Sequence, residues 1–142
     1  MTCAALAAAG CGSAAKSPTS RTSAAGSPTA SGSGSHLAII GTPRFGSPSP
    51  SAPVRSGHVS ISYRYFTVDP AVIRVRAGST VEWTNSDPGP DNVTSVDGPQ
   101  SFASKELAEG ATFSVRLTRP GVIHYESTRH PATINGTIQV LR

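Results

Sequence analysis

The sequence predicts an all-β fold, a Greek-key β-sandwich, occupying residues 58–142. Two observations carry this. Apolar and polar residues alternate with a period of two over short runs, as half-buried strands require. Gly, Pro, Asn and Asp clusters punctuate those runs often enough to leave seven or so short strands in about 85 residues, the spacing of a sandwich.

The strands follow in order. Val59, Ile61, Tyr63 and Tyr65 alternate with His58, Ser60, Ser62 and Arg64, which predicts a first strand with the aromatics on its inner face. Asp69-Pro70 breaks it. Val72 to Arg76 is the second, closed by Ala77-Gly78-Ser79, and Thr80 to Thr84 the third, with Val81 and Trp83 on one face. Asn85 to Pro90 is a run of turn formers. Asn92 to Val96 is a short fourth strand, and Ser101 to Ala108 an irregular crossing with one helical turn over Lys105-Glu106-Leu107. Thr112 to Leu117, Val122 to Ser127 and Thr137 to Leu141 complete the set. The expected core is Ile73, Val75, Val81, Trp83, Phe113, Val115, Leu117, Ile123, Tyr125, Ile138 and Val140.

The chain before His58 has a different character. Met1 to Gly12 is Ala-rich and places small residues ahead of Cys11, which resembles a bacterial lipobox without its positive n-region, a truncated lipoprotein signal whose Cys11 is lipidated. An Ala-rich disordered start is the alternative. Residues 13–57 are dominated by Ser, Ala, Gly, Pro and Thr and contain no acidic residue, so they are expected to form a disordered linker; the apolar island His36 to Ile40 is too short to be a domain.

Charge separates along the same boundary. The net charge of +4 comes from Lys16, Arg21, Arg44 and Arg55, because the eight basic residues from His58 on are matched by eight acidic ones. A neutral domain argues against nucleic-acid binding. The expected partners are the membrane, through a lipid anchor, and a protein met at the loop end of the sandwich; the expected location is extracytoplasmic. Both cysteines, Cys3 and Cys11, and the single methionine, Met1, precede the domain, so it contains no sulfur.

Several spaced motifs carry a family resemblance. They are F-x-x-x-P-x-x-I-x-V-x-x-G-S-T-V-x-W-x-N over Phe66 to Asn85, N-V-T-S over Asn92 to Ser95, F-x-S-x-x-L-x-x-G-x-x-F over Phe102 to Phe113, P-G-x-I-x-Y over Pro120 to Tyr125, and H-P-x-x-x-x-G-x-I-x-V over His130 to Val140. In this order they resemble the cupredoxins, the blue type 1 copper proteins, of the plastocyanin and amicyanin type. The resemblance implies a copper site with a His just before the N-V pair, a Cys ending the penultimate strand, a His three residues later and an axial Met beyond. Those positions are Asp91, Ser127, His130 and Ile134 in this sequence, so only His130 is kept.

A type 1 center needs a thiolate, and none is available here. The residues leave two readings open. In the first, Asp91 accepts a hydrogen bond from His130, Ser127 is a satisfied strand-end hydroxyl, Ile134 fills the axial position, and the domain is a binding or structural module without a cofactor. In the second, copper is carried at an unconventional oxygen and nitrogen site around Asp91 and His130. Ser127, His130 and Asp91 also supply the residue types of a hydrolase triad, without a nucleophile elbow or oxyanion hole; the expectation is that the protein is not an enzyme.

Overall fold

A computed structural model describes residues 41–142. Cys11 of the expected lipobox, residues 13–40 of the expected linker and the island at residues 36–40 within it lie outside the described residues. Nine strands are present among those described: β1 (Val54–Arg55), β2 (His58–Arg64), β3 (Thr67–Asp69), β4 (Val72–Arg76), β5 (Ser79–Asn85), β6 (Thr94–Asp97), β7 (Thr112–Leu117), β8 (Gly121–Glu126) and β9 (Asn135–Leu141). They form a five-stranded sheet in the order β1-β4-β9-β8-β6 and a four-stranded sheet in the order β3-β2-β5-β7. Both sheets mix parallel and antiparallel pairs.

The alternation that defines the strands also aims their side chains. In β2, Val59, Ile61 and Tyr63 point inward opposite Val81, Trp83 and Asn85 of the parallel strand β5. In the other sheet Ile73 and Val75 of β4 sit beside Ile138 and Val140 of β9, which pairs in turn with β8. Trp83 joins the layers: its ring lies 5.3 Å from Tyr125 across the sandwich and 5.4 and 5.9 Å from Phe102 and Phe113. Gly136 makes this fit possible, since a β-carbon there would come within 2.5 Å of Tyr125 Cζ and 2.7 Å of the Ala71 carbonyl oxygen.

The core holds the expected residues except Phe113 and Val115, which are half-buried against it because β7 ends the four-stranded sheet. It also takes in Val59, Ile61, Tyr63, Val93, Leu107 and Ile134.

Four expectations need correction. The boundary at His58 is too late, because residues 41–57 include β1, which pairs in parallel with β4 through Val54 and Arg74. Arg74 donates to the carbonyls of Pro50 and Ala52, and Phe45 stacks on His124 with centroids 4.5 Å apart. Composition missed this strap because its ladder uses backbone groups, which low-complexity segments also carry. The crossing near Lys105 has no helical turn; Leu107 instead exchanges backbone hydrogen bonds with Asp91. The short fourth strand is shifted to Thr94–Asp97, because Asp91 and Val93 pair instead with the crossing segment, Asp91 with Leu107 and Val93 with Ser104. Tyr65 is not on the inner face: β2 ends at Arg64, and Tyr65 is 80% exposed.

The two inward tyrosines give the core an alkaline signature. Burial pushes the Tyr63 phenol far above its ordinary value, with Tyr125 and Asp91 nearby adding to the rise. Burial also raises Tyr125, although the indole N–H of Trp83 works against it without reaching hydrogen-bonding geometry. A phenol raised in the folded state costs nothing below the unfolded value near 10 and destabilises the fold as pH climbs past it, because only the unfolded chain then releases the proton. An alkaline titration of phenolate absorbance is therefore expected to release the signal of two of the three tyrosines only as the chain unfolds, with near-ultraviolet dichroism lost in the same step. Ionisation of all three in a folded chain would contradict this packing.

Candidate functional site

The chain leaves β8 at Glu126, loops through residues 127–134 and enters β9 at Asn135. Backbone bonds pin the loop. Ser127 N donates to Ile134 O at 2.8 Å, and Thr133 N and Ile134 N donate to His130 O at 3.1 and 2.8 Å. The Asn135 amide adds a bond to Pro131 O at 2.8 Å. A second segment is fastened alongside: Asn92 Nδ2 donates to Thr128 Oγ1 at 2.7 Å and Thr128 N returns a bond to Asn92 Oδ1 at 2.9 Å. Asp91 is held by its backbone exchange with Leu107.

These constraints bring Asp91, Ser127 and His130 together. Asp91 is only 2% exposed, and its carboxylate is shared. Oδ1 accepts the Ser127 hydroxyl and, at 2.9 Å, the backbone N–H of Asn92. Oδ2 lies 3.1 Å from His130 Nδ1. An ionised carboxylate only accepts, so the proton of this bond belongs to Nδ1. Ser127 Oγ in turn accepts the N–H groups of Arg129 at 3.1 Å and His130 at 3.3 Å. Every hydrogen-bonding function of the buried hydroxyl is used, as burial demands. Ile134 is fully buried in the core and offers no donor atom.

The order of the three polar residues matters. The carboxylate stands between serine and histidine, so no imidazole reaches the hydroxyl to take its proton, and the hydrolase arrangement is not formed. His124 belongs elsewhere, on the outer face of its sheet, with Nδ1 2.8 Å from Asp97 Oδ1 and Phe45 on its ring. Among the described residues no three His, Cys, Asp or Glu side chains converge on one point.

Two further residues complete this end of the molecule. Arg64 pairs with Thr67, so Tyr65 and Phe66 alone make the β2–β3 turn, with φ of 54° and 56°. Such turns favour Asn-Gly, because side chains beyond glycine are strained at positive φ. The buried Asp87 carboxylate holds the turn, accepting Tyr65 N at 2.6 Å and Phe66 N at 3.0 Å. Asp87 N is itself bonded to Asn85 Oδ1 at 3.0 Å. The Phe66 ring then meets His130 edge-on at 5.0 Å. Sequence reasoning missed Asp87 because an Asp among turn formers looks like any other, and missed the turn because its residues are the wrong ones for it.

The chain is 35% identical over 83 residues to amicyanin-alpha of Methylorubrum extorquens, a match covering 56% of this chain and 68% of that one. The chain belongs to the cupredoxin family. Among solved cupredoxin structures, a purple cupredoxin from Nitrosopumilus maritimus superposes with a TM-score of 0.54 and 27% identity, over 58% of this chain and 99% of its own. A copper-containing nitrite reductase from Thermus scotoductus superposes with a TM-score of 0.56 and 24% identity over 70% of this chain. The match spans only 28% of the reductase, so it concerns the cupredoxin fold alone. No family model matches the sequence.

Proposed function

We propose that the chain is an extracytoplasmic, lipid-anchored cupredoxin-like module that keeps the fold, has exchanged the type 1 copper site for a hydrogen-bonded plug, and acts as a binding or structural module, not an enzyme. The observation that carries this reading is the sharing of Asp91 between Ser127 and His130. A type 1 center takes two imidazoles and a thiolate in a plane, with a weak axial donor. At the corresponding positions Ser127 offers a neutral hydroxyl already given to Asp91, and Ile134 offers nothing. The only sulfur atoms of the sequence belong to Met1, Cys3 and Cys11. The residues present do not fit the copper of the family.

Titration of the full chain with Cu(II) and Zn(II) tests this, with Cys3→Ser and Cys11→Ser in place to remove thiol binding. The expected result is no binding dependent on His130 that is tighter than about 1 mM, equivalent to only about −4 kcal/mol. Micromolar binding abolished by His130→Ala would overturn the reading in favor of an oxygen and nitrogen metal site around Asp91. That second reading draws on His130, whose side chain is 39% exposed and so remains reachable. The anchor is tested separately: the intact mass of protein from the membrane fraction should carry acyl chains on Cys11, and an unmodified Cys11 there would exclude it.

A further inference from the structure

We infer that the Tyr65-Phe66 turn is a membrane-contacting tip, which lays the His130 end of the domain on the lipid surface. This deepens the lipid-anchored reading and rests on it. Three observations point the same way.

The first is the turn itself. Two consecutive aromatic residues at positive φ are costly and persist only where their surroundings over-determine them. Asp87, 4% exposed, does so with one carboxylate oxygen on each backbone N–H. The outcome is a rigid display of apolar surface, with Tyr65 80% and Phe66 50% exposed. An apolar ring with a polar tip suits the headgroup boundary of a bilayer.

The second is the flanking charge. The Arg64 guanidinium lies 5.6 Å from the Tyr65 ring centroid, so a cation accompanies the aromatics. Anionic headgroups attract such a cation while the rings enter the interface.

The third is the point where the preceding chain leaves. Gly41 lies directly against Ala132, so close that a β-carbon on it would come 2.7 Å from Ala132 Cβ. Ala132 belongs to the loop that carries His130, and His130 touches Phe66. Gly41, where the described residues begin, therefore sits at the same end of the sandwich that bears the aromatic tip. Cys11 is 30 residues before Gly41, a span of at most about 100 Å however the chain runs. An anchor at Cys11 keeps this end near the bilayer at high effective concentration, so a contact too weak to bind membranes alone becomes populated.

The test attaches the full chain to vesicles through a synthetic lipid coupled to Cys11, with Cys3→Ser, so docking is read whether or not cells lipidate the protein. The vesicles are phosphatidylcholine with a minority of phosphatidylglycerol and contain brominated lipid. Tyr65→Trp and, at the opposite end of the sandwich, Thr118→Trp are compared against the buried Trp83 background. The expected result is loss of about half of the Tyr65→Trp emission, as for an indole at the interface, and little change for Thr118→Trp. Equal quenching at both positions, or none at either, overturns the proposal. Should Tyr65→Trp fail to fold, hydrogen exchange of the unsubstituted turn replaces it: amides of residues 64–69 are expected to exchange more slowly on vesicles, and unchanged exchange overturns the proposal. An unlipidated Cys11 in cells would remove the anchor while leaving these vesicle results standing, so the two failures are distinguishable.

Discussion

A chain carrying Asp91→His, Ser127→Cys and Ile134→Met together is expected to bind copper and turn blue, with an intense visible band where the unsubstituted protein has none. The three changes belong together because of how the plug is built. Asp91→His alone leaves the Ser127 hydroxyl, which is fully buried, without its acceptor. Ser127→Cys alone sets a thiol against a buried carboxylate. Made jointly, they replace the hydroxyl and its acceptor by a thiolate and an imidazole, beside a His130 freed from Asp91. Ile134→Met nearly conserves volume, a swap that usually costs less than about 1.5 kcal/mol. Absorption and paramagnetic resonance of the Cu(II) form read the result. A colorless triple variant that keeps its near-ultraviolet dichroism would sink the assignment of these positions.

The second large effect is on stability. Asp91→Ala is expected to destabilise the fold by roughly 3 kcal/mol, because it strips the acceptor from Ser127 Oγ, Asn92 N and His130 Nδ1 at once. Most of this loss comes from the buried serine; the partly exposed His130 regains water and contributes little. For a domain of this size that is a fall in Tm of about 12–20 °C. Ser127→Ala in the Asp91→Ala background should then cost clearly less than it does alone, since the two groups share one hydrogen bond. Denaturant melts of the four species measure both quantities. A loss for Asp91→Ala below about 1 kcal/mol would mean that the carboxylate is not the keystone of this loop.

What the sequence made legible divides by mechanism. Strands such as β2, β5 and β7 were readable because one face of each meets the core, which imprints a period of two on side chains. That Ser127, His130 and Ile134 share one loop was readable because spacing along a single segment is a property of sequence, whereas the meeting of Asp91 with Ser127 and His130 depends on how distant segments pair. What escaped was carried by the backbone or by geometry. The strap over residues 41–57 is ordered by ladder bonds and by Arg74 reaching carbonyls, and neither leaves a mark on composition. The Tyr65-Phe66 turn escaped because its stabiliser, Asp87, is 21 and 22 residues away. Leu107 read as part of a helical turn because three adjacent residues with fair helix propensity outweighed a single bridge to Asp91 that only the folded chain reveals.

The brevity of β1 has a bearing on solubility. Pairing with β4 covers the Arg74 and Val75 stretch of a five-residue strand that would otherwise lie open to another chain. What replaces it at the margin of the sheet is two residues long, preceded by Pro53, which has no N–H to lend. An incoming strand finds no template of useful length there. The strap thus shortens the open margin of this sheet, and a protein trimmed to His58 bares the β4 margin while keeping its whole core.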